Sequence, residues 1–91
     1  MEKTDEGLIY VTSSLRRIDI MYFLNDVPFA RNSEISEICG LHPSYLTRTL
    51  QSLQKHNLVA SEKVEGKYKV FFLTKEGRNM VKRLREYHGI R

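Results

Sequence analysis

Residues 33–55 constrain the fold more than any other part of the chain. Their sequence, Ser-Glu-Ile-Ser-Glu-Ile-Cys-Gly-Leu-His-Pro-Ser-Tyr-Leu-Thr-Arg-Thr-Leu-Gln-Ser-Leu-Gln-Lys, contains two short amphipathic patterns separated by Gly40. Glycine supplies the positive φ angle that commonly ends a helix, and Pro43 suits the first turn of the next helix, where no amide hydrogen is needed. The pattern predicts two helices joined by a tight turn, with Ile35 and Ile38 of the first helix pointing inward.

The second of these helices, predicted over residues 43–56, has two chemically distinct sides. At about 100° per residue its three leucines at 46, 50 and 53 fall within about 60° of one another. The opposite side carries groups that bind phosphates and base edges. These residues are Ser44, Arg48, Gln51 and Lys55, with Tyr45, Thr47 and Ser52 beside them.

Acidic residues are absent from Leu41 to Ala60, although a solvated helix face usually mixes acids with bases. The pattern is therefore typical of a helix-turn-helix whose second helix faces DNA. The alternative is a solvated face that lacks acids by chance.

Charge is unevenly distributed along the chain. The formal net charge is +4, but residues 1–40 carry −3 and residues 41–91 carry +7. A basic half that also contains the helix-turn-helix pattern indicates one surface that faces a polyanion.

The length of 91 residues predicts one domain, which we place at residues 8–91, after a flexible polar tail over residues 1–7. No stretch approaches the length of a membrane span and no secretory signal follows Met1, so we expect a cytoplasmic protein without a membrane partner. The single cysteine, Cys39, fits a reducing compartment. We interpret Cys39 as a small buried hydrophobe, because a reactive thiol needs exposure and nearby positive charge.

Hydrophobic periodicity places the remaining elements. A helix is predicted from Ser13 or Ser14 to about Leu24, and its apolar residues on several sides suit either the core or a partner. Phe29-Ala30-Arg31 is compatible with a very short strand, and Asn32 or Ser33 is expected to cap the following helix.

The alternating segment from Leu58 to Leu73, with Glu65-Gly66 at its middle, predicts a hairpin of strands at roughly 58–64 and 67–73. Thr74 is expected to cap a last helix, over about 76–88, whose apolar side is Met80, Val81, Leu84 and Tyr87. The predicted fold is mainly α with a small β-hairpin (α+β), in the order helix, helix, helix, hairpin, helix.

Three stretches of the chain resemble winged helix-turn-helix transcription regulators of the MarR group and small archaeal regulators. Ser33–Leu53 resembles the helix-turn-helix of that family, and His56-Asn57-Leu58-Val59 stands where the family usually has Lys-Gly-Leu-Val. Phe72-Leu73-Thr74-Lys75-Glu76-Gly77-Arg78 resembles the Leu-Thr-x-x-Gly that closes the wing and opens the last helix. The resemblance covers residues 13–86, and the order and spacing of the three stretches make it specific.

The resemblance implies sequence-selective binding to duplex DNA, usually as a dimer, to repress or activate a promoter. The third predicted helix would then enter the major groove, and by resemblance its DNA-facing positions are Ser44, Tyr45, Thr47, Arg48 and Gln51. The hairpin would form a wing on the DNA backbone or minor groove, with Lys63, Lys67 and Lys69 near its tip. We expect a homodimer through the first and last predicted helices.

The chain also departs from the MarR pattern. Its wing tip is only Val64-Glu65-Gly66-Lys67, without the longer Asp-x-Arg element, and its terminal helices are too short for the whole apparatus that binds phenolic ligands. A small-molecule effector is therefore not assigned.

Arg48 is the first candidate for a base contact, because a guanidinium can bond the O6 and N7 of guanine together; a phosphate contact is the alternative. Gln51 is suited to adenine or to solvent, and Tyr45 to a sugar, a thymine methyl group or the preceding helix. The three wing lysines are suited to phosphate, or to protecting an edge strand from aggregation.

No catalytic residues, cofactor or metal site is predicted. The sequence contains no nucleophile–base pair, paired carboxylates or Gly-rich phosphate loop at usable spacing, so an enzyme is not expected. Cys39-x-x-His42 offers only two metal ligands, which do not make a site. The alternatives to a regulator are a winged-helix protein-interaction module and a nonspecific architectural DNA binder.

Overall fold

The computed structural model describes the backbone of residues 3–88 and the side chains of residues 6–86. Within that range the chain forms five helices and one two-stranded antiparallel sheet. The elements are α1 (Lys3–Thr12), α2 (Leu15–Asp26), α3 (Asn32–Cys39), α4 (Pro43–Lys55), β1 (Val59–Val64), β2 (Tyr68–Leu73) and α5 (Lys75–His88). The predicted winged helix-turn-helix fold is confirmed, with one additional helix at the start. No helix in the described range is long and apolar enough to cross a membrane.

Helix α1 is the element that the predicted order lacks. The prediction of a tail over residues 1–7 omits it, because its sequence has a glycine inside the helix, at Gly7, and only a short apolar run. Such a short helix depends on tertiary packing more than on its own propensity. Here Val11 is fully buried against the rest of the core, and α1 packs on α2.

The core lies between α2, α4, the hairpin and α5. It is built from the apolar stripe of each element, and its fully enclosed side chains include Ile20, Met21, Leu24, Ile35, Leu46, Leu50, Leu53, Met80 and Leu84. Of the two alternatives for the apolar residues of α2, the core holds Ile18, Ile20, Met21 and Leu24, whereas Leu15 at its first position is 76% exposed. The predicted apolar side of α5 is buried at Met80, Val81 and Leu84, and the Tyr87 side chain lies outside the described residues.

The turn between α3 and α4 has the predicted form. Gly40 has φ 66°, and Leu41 is buried beneath the turn. The Leu41 amide donates to the Ser36 carbonyl at 2.9 Å, and the Gly40 amide donates to the same carbonyl at the end of α3. The prediction that Ile38 points inward is wrong: Ile38 is 66% exposed, while Ile35 is fully buried. At only eight residues α3 buries one narrow side, and Ile38 lies off it.

The start of α3 also differs from the prediction. The cap residue is Arg31, one position before the predicted Asn32 and two before Ser33, and the Glu34 carboxylate accepts a hydrogen bond from the Arg31 amide at 2.8 Å. The short strand predicted before α3 is a single bridge, in which Ala30 and Phe71 exchange both backbone hydrogen bonds. That bridge fixes α3 against β2.

The hairpin pairs Val59 with Leu73 and Val64 with Tyr68 at its two ends. At its tip Glu65 and Gly66 both have positive φ, 54° and 68°, the signs that the two central residues of a type I′ turn require. The Lys67 amide donates to the Val64 carbonyl at 3.0 Å.

Candidate nucleic-acid interface

Helix α4 is firmly held on one side and open on the other. His42 caps it, with Nδ1 accepting from the Ser44 amide at 3.1 Å, and Pro43 occupies its first turn. Leu46, Leu50 and Leu53 are at most 1% exposed, as their spacing predicts. The outer face of α4, which we define as Ser44, Arg48, Gln51 and Lys55, is exposed at all four residues.

Donor groups on this outer face are available for a partner. Among the described residues, none forms a hydrogen bond or ion pair with the side chain of Arg48, Gln51 or Lys55. Only the Ser44 hydroxyl is engaged, at 2.7 Å from His42 Nδ1. The outer face therefore presents a guanidinium, an amide and an ammonium group, which suit base edges and phosphates.

The other three predicted recognition residues lie at the margins of the outer face. Thr47 is exposed, and its hydroxyl donates to the Pro43 carbonyl at 2.9 Å and accepts from the Asn32 amide group at 3.1 Å. Ser52 is half-buried. Tyr45 is half-buried, and the Arg16 guanidinium of α2 lies 5.7 Å from its ring centre.

The hairpin lies beside α4 as a wing. Gln54 of α4 donates to the Ser61 hydroxyl of β1 at 3.2 Å, which fixes the hairpin against the helix. Lys63, Lys67 and Lys69 are all exposed, and Lys63 and Lys69 are directly opposite each other across the two strands. Like charges so placed repel, so these lysines do not stabilise the isolated hairpin.

The end of α4, the end of the wing and the start of α5 meet in one hydrogen-bonded junction. The Thr74 hydroxyl donates to the Asn57 carbonyl at 2.7 Å and accepts from the Gly77 amide at 3.0 Å, as predicted for a helix cap. The Asn57 amide group donates to a Glu76 carboxylate oxygen at 2.6 Å, and the Thr74 amide donates to the Leu58 carbonyl at 3.1 Å. We call these five residues the α4–α5 junction.

The geometry of the α4–α5 junction explains why asparagine stands at position 57 and glycine at position 77. Asn57, which stands where the MarR pattern usually has glycine, has φ 61°, and asparagine is the residue that best tolerates this conformation after glycine. Gly77 lies so close to the preceding turn that an added Cβ would be 2.1 Å from the Leu58 carbonyl oxygen. In the Leu-Thr-x-x-Gly sequence, the threonine therefore caps α5 and the glycine allows α5 to approach the Leu58 carbonyl closely.

Cys39 is half-buried, and burial raises the pKa of its thiol above the ordinary value, with a smaller contribution from the negative charge of Asp19. The thiol is therefore protonated at neutral pH, which supports the interpretation of a small hydrophobe. No cluster of three or more metal-binding side chains occurs in the described part of the chain.

A cleft of about 530 Å³ lies between α1, the end of α4 and α5. Its walls carry both signs of charge, from Glu6, Lys55, Glu76 and Arg83. Beside it the rings of Tyr10 and His56 stack at 4.7 Å, so α1 is fastened to the end of α4.

No protein-family model matches the chain. Among curated proteins it is 37% identical, over 62 residues, to the HTH-type transcriptional regulator MntR of Listeria monocytogenes. That alignment covers 68% of this chain and 41% of MntR, so the chain spans about two fifths of the length of the curated relatives it matches.

Solved structures share the fold over most of the chain. The MepR–DNA complex of S. aureus superposes with a TM-score of 0.80 at 14% identity, covering 94% of this chain and 73% of MepR. HlyU from Vibrio cholerae superposes with a TM-score of 0.77 at 23% identity, covering 93% and 91% of the two chains. A MarR-family transcription regulator gives 0.78 at 17% identity, covering 93% of this chain and 58% of the regulator.

These similarities confirm the fold that the sequence predicts. Over most of its length the chain has the winged helix-turn-helix architecture of the MarR-family regulator and of the other two solved structures.

Proposed function

We propose that this winged helix-turn-helix protein is a transcription regulator that binds duplex DNA selectively. The observation that carries the proposal is the outer face of α4, which is exposed, free of acids and rich in unengaged donors, while the opposite side of the same helix is buried. A solved relative of the same fold, MepR, has been crystallised with DNA.

In the proposed complex α4 enters the major groove, which is about 12 Å wide and admits one helix. Arg48 occupies the middle of the outer face, with one free guanidinium to bond O6 and N7 of a guanine. Gln51 is one helical turn nearer the end of α4 and suits adenine. Ser44 and Thr47 have hydroxyls already bonded within the protein, so we assign them to phosphate or to weaker base contacts.

The wing is proposed to contact the DNA backbone or the minor groove through Lys63, Lys67 and Lys69. The hairpin carries Glu62 and Glu65 as well as these lysines, so its attraction to phosphate depends on the lysines being closer to the DNA. Phosphate contacts position a protein without reading sequence.

We propose a homodimer, because two-fold symmetry places two copies of α4 about 34 Å apart, one turn of DNA. The predicted interface used the first and last predicted helices, now α2 and α5. Most apolar residues of α2 are buried within the chain, but Ile9 at 55% and Leu15 at 76% exposure lie near the junction of α1 and α2 and are available to a partner.

The first experiment is selection of the purified protein against a pool of random duplexes, followed by sequencing of the retained DNA. An enriched inverted repeat supports a site-specific dimer, and its half-site spacing gives the distance between the two α4 helices. Retention without enrichment would indicate an architectural DNA binder. Absence of retention at low salt would reject DNA binding in favour of a protein-interaction module.

Arg48→Ala then tests the assigned reader. We expect a loss of discrimination of about 10-fold or more between the selected site and a site with the contacted guanine replaced, since a bidentate contact contributes about 1–3 kcal/mol. The matched control is Arg85→Ala, which removes the same charge from an exposed position on α5. Unchanged discrimination in a folded Arg48→Ala protein would refute the role of Arg48 as a base reader.

A further inference from the structure

A second cleft, of about 310 Å³, lies between the α1–α2 junction and α4. Its described lining is Tyr10, Arg17, Ser44, Tyr45, Arg48, Thr49 and Ser52. The lining contains two guanidinium groups and several hydroxyls, and none of these residues is acidic. This composition suits an oxyanion, although the N-terminal half of the chain is acidic as a whole.

Arg17 is held in place before any ligand arrives. Its guanidinium carbon lies 3.8 Å from the centre of the Tyr10 ring, and its Nη1 donates to the Tyr10 carbonyl at 2.8 Å and to the Ser13 hydroxyl at 2.9 Å. A side chain fixed in this way loses little conformational entropy when it binds.

The same contacts leave one edge of the Arg17 guanidinium unused. Nε is buried and has no hydrogen-bond partner, and no described residue accepts a hydrogen bond from Nη2. Because Nε is enclosed by the protein, Nη2 is the nitrogen of this guanidinium that is left for an oxygen atom in the cleft.

The position of the cleft relative to α4 indicates which phosphate it meets. On the helical projection Tyr45 and Ser52 lie on one flank of the outer face, beside α2 and Arg17. Thr47 and Gln54 lie on the other flank, where they bond Asn32 of α3 and Ser61 of the wing. A helix seated in the major groove has a phosphate backbone along each side, so this cleft and the wing face opposite backbones.

We propose that this cleft binds a DNA backbone phosphate, with Nη2 of Arg17 as a charged donor and the exposed Arg16 beside it. The inference rests on the proposed DNA binding and adds a third contact region to α4 and the wing. It extends the DNA site beyond α4 and the wing, on the side away from the wing.

The test measures the dissociation constant of Arg17→Gln for the selected duplex and for a scrambled duplex over a range of salt concentrations. We expect about 10-fold weaker binding to both duplexes alike, and a salt slope reduced by about one unit, because a phosphate contact carries no sequence information. Discrimination between the two duplexes should stay unchanged, in contrast to Arg48→Ala. Arg85→Gln on α5 is the matched control for the loss of one charge.

Because Arg17 also joins α1 to α2, thermal unfolding of every variant is measured, and Arg17→Lys is included. Lysine keeps the charge but lacks the planar guanidinium that bonds Tyr10 and Ser13 with one nitrogen while it offers another to the cleft. We expect Arg17→Lys to keep the wild-type salt slope and to lose a part of the affinity.

Neutral methylphosphonate groups placed one at a time in the duplex identify the phosphate. At one position flanking the site, the neutral group should weaken binding by the wild type. The same group should not weaken binding by Arg17→Gln further, because that variant already lacks the phosphate contact. Folded Arg17→Gln protein with wild-type affinity and salt slope would overturn the proposal while leaving the proposed function intact. A wild type that binds no duplex would reject both.

Discussion

Replacing Gly77 by alanine tests whether the close approach at the α4–α5 junction is needed for folding. The added Cβ would be 2.1 Å from the Leu58 carbonyl oxygen and 3.1 Å from Leu73 Cδ2, whereas real Cβ contacts essentially never fall below 3.0 Å. The Leu58 oxygen belongs to the backbone and cannot rotate away. The start of α5 must therefore move by about 0.9 Å relative to the turn after α4.

The cost has two sources. Overpacking of a filled site costs about 1–3 kcal/mol. The displacement also strains the two hydrogen bonds that Thr74 makes with Asn57 and Leu58, each of which contributes about 0.5–1.5 kcal/mol. We expect a loss of about 2–5 kcal/mol in the free energy of unfolding, a large share of the roughly 5–10 kcal/mol that a chain of this size has. The melting temperature should fall by about 10 °C or more.

Gly7→Ala provides a matched control, since Gly7 is also a buried glycine inside a helix. A Cβ at Gly7 would meet Met80 Cε at 3.5 Å and Leu58 Cδ1 at 3.8 Å, which are ordinary contacts. Alanine is the better helix former by about 0.5–1 kcal/mol, so Gly7→Ala should be neutral or slightly stabilising. Urea denaturation followed by circular dichroism measures both variants. A Gly77→Ala protein within about 0.5 kcal/mol of wild type, or equal losses for both variants, would refute the reasoning.

Two further predictions concern the wing and the cysteine. Removing the charge of Lys63, Lys67 or Lys69 should weaken binding to all duplexes alike and reduce the salt slope by about one unit each; an equal slope for a folded variant would show that the lysine does not meet phosphate. The raised pKa of Cys39 predicts that its alkylation by iodoacetamide at pH 7.5 is slower than that of an unstructured cysteine peptide and accelerates only at higher pH; a rate at neutral pH above that of the peptide would indicate a reactive thiol.

Burial and element limits are predicted most accurately from the sequence where they depend on the residue pattern of a single helix or hairpin. The leucines of α4 are spaced at the helical period, so their burial and the exposure of Arg48 on the other side follow together. The hairpin limits were predicted to within a residue, because strand alternation changes to turn residues at Glu65-Gly66.

The predictions fail where contacts between distant parts of the chain determine which residues are buried or helical. Ile38 fits the apolar spacing of α3, but the short helix is covered on one side only, and the sequence does not show where that cover ends. Helix α1 is stabilised by Val11 in the core and by Tyr10 stacked on His56, contacts that join residues far apart in the chain. The contact between Arg17 and Tyr10 could not be predicted for the same reason. The sequence shows two adjacent arginines, Arg16 and Arg17, but it does not show that Arg17 lies beside α4.

The α4–α5 junction has a mechanical consequence. Asn57 follows α4, Thr74 follows the wing, and Glu76 lies in the first turn of α5. Asn57 is hydrogen-bonded to both Thr74 and Glu76. A rotation of α5 would therefore be expected to move the end of α4 and the base of the wing together. In the proposed dimer, a second subunit seated on α5 would set the angle of α4 and of the wing as a single unit, so the spacing of the two half-sites and the tilt of each wing would vary together.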